Sequence, residues 1–289
     1  MDGLADLDPI YFADVSWQER FERWLEHHVG DDRFAGANAT AIEVIAHRRD
    51  LGLRMAVNIA PHALLLFLRD GAYKNAYERA SEIGDASPPS ATRTKVDGAL
   101  FRDPDRPEDH YFGAVVLGGT GVRYYGEYCV VLKEDASVVP DDTLVLDRNS
   151  YDIVFEPLAG REDTSHIVER LRGRWTSDLM AMVKMKVLPQ IAAAPRLTTA
   201  GATSELVLHD ESFIEVHKRG TFGPDDVHEI RESAADASVE ADLIGRRERG
   251  HPLSVEESIW LSRRHEVDQA LVERGLRARI IVTSGRAPR

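Results

Sequence analysis

The segment Asp210-Glu-Ser-Phe-Ile-Glu-Val-His-Lys-Arg-Gly220 sets a carboxylate, Glu215, two residues before an imidazole, His217, with the basic pair Lys218 and Arg219 following. Strand side chains alternate, so in an extended run Ile214 and Val216 face one way and Phe213, Glu215 and His217 the other. One face is apolar; the other carries groups suited to electrostatic or acid–base work. A carboxylate beside an imidazole is costly to bury unless partners hold it, which makes Glu215 the first candidate for a catalytic residue. The plain alternative is the solvated outer face of an edge strand. A metal-assisted hydrolase is a further reading, because His209, Glu211, Glu215 and His217 share a face if the strand is unbroken. Asp210-Glu-Ser reads as a turn that breaks that register, so the leading reading has no metal.

The elements that must position these residues show in the capping signals. Ser16 with Glu19, Thr40 with Glu43 and Ser254 with Glu257 form capping boxes, each ahead of an apolar-periodic run. The first helix carries Trp17, Phe21, Trp24 and Leu25 on one stripe. A second runs from about Ala41 towards Leu51, a third from Pro61 to Leu68 before Gly71, and a fourth over 72–83 before Gly84. Residues 1–85 therefore read as a helical N-terminal region. Ser87-Pro-Pro-Ser and Arg102-Asp-Pro-Asp-Arg-Pro are turn-rich breaks. Phe112 to Leu117, Gly118-Gly-Thr-Gly121 and Val122 to Lys133 read as a β-hairpin, followed by a strand over Thr143–Asp147. Thr164–Ala193 reads as helix, strands resume at Glu205–Leu208 and Phe213–Lys218, a helix spans about 254–274, and Ala278–Thr283 ends the pattern as a strand. The expected fold is α+β: residues 86–232 form a core with a mainly antiparallel sheet and the candidate site, and 233–289 add a helix and strand packed on it.

With 36 basic and 49 acidic residues the net charge is −13, which opposes a protein that coats nucleic acid in bulk. A local basic patch at Arg246, Arg247 and Arg249 is the exception. One cysteine, Cys129, excludes an internal disulfide and a cysteine-rich zinc site, fits a cytoplasmic setting, and lies in an apolar run that reads as core. The acidic N-terminus has no secretory pattern, and no apolar run approaches a membrane span. Phosphate-loop, dinucleotide-fingerprint, zincin and nucleophile-elbow motifs are all missing.

Seven pieces recur in a fixed order: Asn58-Ile-Ala-Pro-His62, Gly71-Ala-Tyr-Lys-Asn-Ala-Tyr-Glu78, Gly98-Ala-Leu-Phe101, Phe112-Gly-Ala-Val115, Arg123-Tyr-Tyr-Gly-Glu-Tyr-Cys-Val-Val-Leu-Lys133, Asn149-Ser150 and Phe213-Ile-Glu-Val-His-Lys-Arg-Gly220. Their order over roughly residues 55–230 resembles an uncharacterised bacterial family of unknown function with the pattern F-H-P-D-R, Y-R-S-Q-F, Y-G-A-L and Y-I-E-A-Q-V-H-G. More loosely, it resembles the mono-ADP-ribosyltransferase superfamily, in which an early basic residue grips NAD and a late glutamate serves catalysis. The resemblance implies an ADP-ribosyltransferase-like protein, toxin- or effector-like, that uses NAD as substrate and transfers ADP-ribose to a protein or nucleic-acid acceptor. Glu215 is then the catalytic glutamate. Lys74 stands at the family's arginine and contacts the pyrophosphate with Arg93 or Arg123, Tyr77 or Tyr125 stacks on nicotinamide, and Ser150 belongs to the polar pair before the last strand. The departures fall on polar positions: Ala60, His62 and Ala63 replace the His, Asp and Arg of F-H-P-D-R, Ala76 replaces a glutamine, and Lys74 lacks the planar fork of arginine. That pattern also fits a catalytically inert binding or regulatory module on the same fold.

Overall fold

The computed structural model describes residues 14–28, 36–83, 90–101, 106–155, 164–193 and 213–282. Within them, β1 (Arg54–Ile59), β2 (His110–Val116), β3 (Tyr128–Leu132), β4 (Leu144–Leu146), β5 (Arg172–Arg174), β6 (Glu215–Arg219), β7 (Val227–Ser233) and β8 (Ala278–Ile281) form one sheet in the order β5-β4-β6-β2-β1-β3-β7-β8. Neighbours are antiparallel except β7 and β8, which are parallel. The chain is thus a mixed α+β protein on a mostly antiparallel sheet. Its helices among the described residues are α1 (Trp17–His28), α2 (Ala39–His47), α3 (Pro61–Asp70), α4 (Ala76–Ile83), α5 (Ala91–Leu100), α6 (Ser150–Phe155), α7 (Thr164–Leu171), α8 (Leu179–Ala193), α9 (Ala234–Glu248) and α10 (Val255–Glu273).

Register decides which side chains meet. Ala56 pairs with Ala114, and Ala114 with Glu215, so the three lie in a row on one face, with Phe112 opposite His217 one step along. Two alanines beside a glutamate leave space where larger residues would fill it. The other face presents Met55, Val57, Val115, Val130, Ile214 and Val216 to the main core, which α1 joins through Trp17, Phe21 and Trp24 and α8 through Met182, Val183 and Leu188. This alternation is the one expected for residues 213–218. The edge-strand alternative fails, because β6 has β4 on one side and β2 on the other.

Several local expectations change. The run of helices over residues 1–85 is interrupted by β1, which takes the middle of the sheet. For that reason β2 and β3 form no hairpin: each pairs antiparallel with β1, which lies between them, and the link 117–127 crosses from one to the other. The expected helix over Thr164–Ala193 divides into α7, β5 and α8. Gly173 sits so close to the next turn that a Cβ there would lie 2.6 Å from both Asp178 Cβ and Met182 Cε, and the Asp178 carboxylate accepts the Arg174 N–H at 2.9 Å. α2 starts behind Asn38 with no side-chain cap, so Thr40 opens no helix, and it stops at His47 because Arg48 turns extended. α4 starts later than expected, at Ala76, because Asn75 caps it by accepting the N–H groups of Tyr77 and Glu78. The box at Ser254 stands, with Ser254 Oγ accepting the Glu257 N–H and Glu257 accepting the Ser254 N–H, whereas at Ser16 the structure shows the N-cap half, Ser16 Oγ accepting the Glu19 N–H, and Glu19 pairs with Arg23. Cys129 is buried as expected, and Arg246 pairs with Glu257 at 2.7 Å. The expected strand at 205–208, together with His209, Glu211 and Gly84, lies outside the described residues. No helix among the described residues is long and apolar enough to cross a membrane.

Candidate functional site

A cavity of about 730 Å³ opens over the row Ala56, Ala114 and Glu215, within the range typical of small-molecule sites. Phe112 and Phe213 join Glu215 in its lining, the link 117–127 contributes Tyr124 and Tyr125, and the start of α6 contributes Tyr151 with Asn149 just before it. Arg93, Arg79 and His62 are its basic lining groups.

The link that roofs the cavity is held by Asn58 on β1. Its side-chain amide donates to Thr120 O at 2.8 Å and Gly126 O at 3.1 Å, and its Oδ1 accepts the Val122 N–H at 2.8 Å. Gly126 packs directly on the end of β1, where a Cβ would lie 2.5 Å from Ala60 N and Ile59 O. Gly121 has φ +65°, the left-handed region that favours glycine, and a Cβ there would also meet the Asn58 side chain. Tyr124, 79% exposed, and Tyr125, 49% exposed, therefore stand on a tethered loop.

Glu215 is 5% exposed and fully engaged at its rear. The Ser150 N–H donates to Oε2 at 2.6 Å and the Ser150 hydroxyl to Oε1 at 3.1 Å. His217 Nε2 lies 3.2 Å from Oε1, off the line of a hydrogen bond. Burial pushes the Glu215 carboxyl up, but His217, the Ser150 N–H and the positive charge of Arg93 outweigh it, and the group titrates below the ordinary value of 4.5. It is an anion at neutral pH. His217 sits among Phe101, Phe112 and buried His110; burial and His217 push His110 down to about 4, so that ring is neutral at pH 7. Burial and the charge of Glu215 push the Tyr125 hydroxyl up to about 12, which keeps it a protonated donor.

Arg93 reaches the cavity from α5, whose first turn is capped by Ser90. Its guanidinium lies 3.7 Å from the Phe112 ring centroid and is gripped by buried Asp97, which also accepts the Tyr77 hydroxyl. Among the residues expected to share a site, the structure thus brings Glu215, Ser150, Arg93 and Tyr125 together. Ser150 faces the carboxylate, and Tyr77 stands behind Arg93 outside the lining. Lys74 is elsewhere, its ammonium 3.1 Å from Asp70. So is Arg123, whose Nη2 donates to both Asp236 oxygens at 2.7 and 2.8 Å. Asn58, Asp97, Tyr124 and Tyr151 were not singled out from the sequence; Ser90, spaced three before Arg93, is the capping signal that would have revealed α5. Among the described residues no three His, Cys, Asp or Glu side chains converge as a metal site.

No protein-family model matches the chain, and neither does any curated protein or solved structure.

Proposed function

We propose that this protein is an ADP-ribosyltransferase-like enzyme that takes NAD as substrate in the Glu215 cavity and transfers ADP-ribose to a macromolecular acceptor. The reading is carried by one observation: an ionised carboxylate, held by two hydrogen bonds from Ser150 with His217 beside it, lines an aromatic cavity that also holds arginine. Breaking the bond between ribose C1′ and the nicotinamide nitrogen sends the bonding electron pair to nicotinamide and leaves positive charge on the sugar. Glu215 stabilises that charge and accepts a hydrogen bond from the ribose; because the carboxylate is already oriented, no reorganisation opposes the reaction. The acceptor then bonds to C1′ and releases its proton to water. Tyr125 and Tyr151 supply flat surfaces for the leaving ring, and Arg79 and Arg93 supply positive charge for the pyrophosphate.

The test is to incubate the purified protein with labelled NAD and cell extract, alongside Glu215→Gln. Label transfer or nicotinamide release that E215Q abolishes is expected; absence of transfer together with absence of NAD binding by calorimetry refutes the reading. A second reading, an inert binding module, is favoured by Lys74 and Arg123, which are tied to Asp70 and Asp236 away from the cavity. It predicts NAD binding without nicotinamide release, equal in wild type and E215Q.

A further inference from the structure

Arg93 is the cavity's most constrained cation. Its Nε donates to Asp97 Oδ2 at 3.0 Å and its Nη2 lies 2.7 Å from Asp97 Oδ1, so the carboxylate faces two edges of the planar group. Phe112 covers one of its flat faces at 3.7 Å, with Tyr151 6.0 Å away. Asp97 is itself 2% exposed and is fixed by the Tyr77 hydroxyl, which donates to the same Oδ2. The remaining nitrogen, Nη1, has no partner among the described residues, while the side chain keeps 18% exposure and lines the cavity. Restraint on two edges and a face leaves Nη1 as the nitrogen not facing Asp97, on a side chain that lines the cavity. Asp97 cancels much of the charge, so what the arrangement provides is orientation.

We propose that Asp97 and Tyr77 are positioning residues that make Arg93 a fixed receptor for one phosphate group of a sugar-phosphate ligand, bound through Nη1 beside Glu215. The proposal deepens the reading of the cavity as an ADP-ribosyl donor site and rests on it. Phosphate is the class the surroundings select: its oxygens suit a charge-assisted N–H donor, and the attached sugar offers neutral hydroxyls to the nearby Glu215 carboxylate, which would repel a second anion. Arg79 contributes more diffusely; its Nε is engaged by Lys74 O at 2.8 Å and its guanidinium lies 5.3 Å from the Tyr73 ring centroid.

The sign of one substitution separates positioning from neutralisation. If Asp97 merely neutralised Arg93, D97N would free the cation and tighten anion binding; if it positions Arg93, D97N weakens binding despite the gain in positive charge. Calorimetry with inorganic pyrophosphate and with ADP-ribose provides the readout, with folding checked by near-ultraviolet circular dichroism. The expected result is an affinity loss of about tenfold or more in R93M, little recovered in R93K, and losses in the same direction for D97N and, more mildly, Y77F. Y77F keeps the Asp97–Arg93 pair and carries the test alone if D97N does not fold. Tighter or unchanged binding in D97N and Y77F, unchanged binding in R93M, or no binding of either probe to the wild type overturns the proposal. Binding that behaves as expected in a protein that releases no nicotinamide from NAD would leave the receptor standing and the transferase reading refuted.

Discussion

Replacing Gly126 by alanine tests whether the cavity roof is built as described. A methyl group there would lie 2.5 Å from Ala60 N and Ile59 O, and closer still to Ile59 C. Ordinary non-bonded contacts need roughly 3.5 Å, so the roof and the end of β1 must part by about 1 Å. These are backbone atoms and cannot swing aside as a side chain can. Asn58 opposes the movement, because its three hydrogen bonds to Thr120, Gly126 and Val122 fix both ends of the link to β1. Overpacking of this kind costs about 1–3 kcal/mol, and one lost hydrogen bond adds about 1 kcal/mol, for a total of about 2–4 kcal/mol. At roughly 2–4 °C per kcal/mol in a chain of this size, the melting midpoint should drop by about 4–16 °C. Thermal unfolding followed by circular dichroism measures this directly. Gly98→Ala is the control: it lies in α5 with nothing within 4 Å of the added Cβ, and should be neutral or stabilising. Because Tyr124 and Tyr125 ride on the displaced segment, ligand affinity should fall as well. A G126A protein melting within about 1 °C of the wild type would refute the close approach of roof and strand.

Glu215 titrates below the ordinary glutamate value, so its contribution to stability is complete above the unfolded-state value and is lost as pH falls through the lower folded-state one. The urea-unfolding gap between wild type and E215Q should therefore narrow below about pH 4, and a gap unchanged down to pH 3 would contradict the assignment. Lys74→Ala should leave cavity affinity within about twofold, since Lys74 is engaged by Asp70 outside the cavity lining in a partly exposed ion pair; a large loss in a binding titration would return Lys74 to the site. Arg123→Ala should destabilise by about 3 kcal/mol in denaturant unfolding, because Asp236 loses its partner in a largely buried pair. Burial pushes the Cys129 thiol up to about 12, so at pH 8 alkylation followed by mass spectrometry should mark Cys129 only in unfolded protein.

Much of this architecture was legible because it obeys local rules. The Ser254–Glu257 box opens α10, Gly71 closes α3 with φ +75°, and alternation from Phe213 to His217 separates core from cavity. What escaped depended on distant partners. Met55 to Ile59 is a short apolar run that on its own suits helix or strand equally; only the flanking β2 and β3 make it a strand, and without it residues 112–133 look like a hairpin. β7 was missed for a related reason: Val227–Ser233 is largely polar, and its burial is set by β3 and by Arg231 and Glu232 finding Glu229 and Arg264. Within the site, Glu215 and Ser150 were legible as residue types, but their direct contact spans 65 positions. Lys74 was placed by resemblance alone, and the turn between Gly71 and α4 directs it to Asp70 instead.

The place of β6 in the sheet carries a consequence for biosynthesis. Residues 215–219 slot between β2 and β4, segments that leave the ribosome roughly 100 and roughly 70 positions earlier, so the two halves of the sheet stay unjoined until β6 has been synthesised.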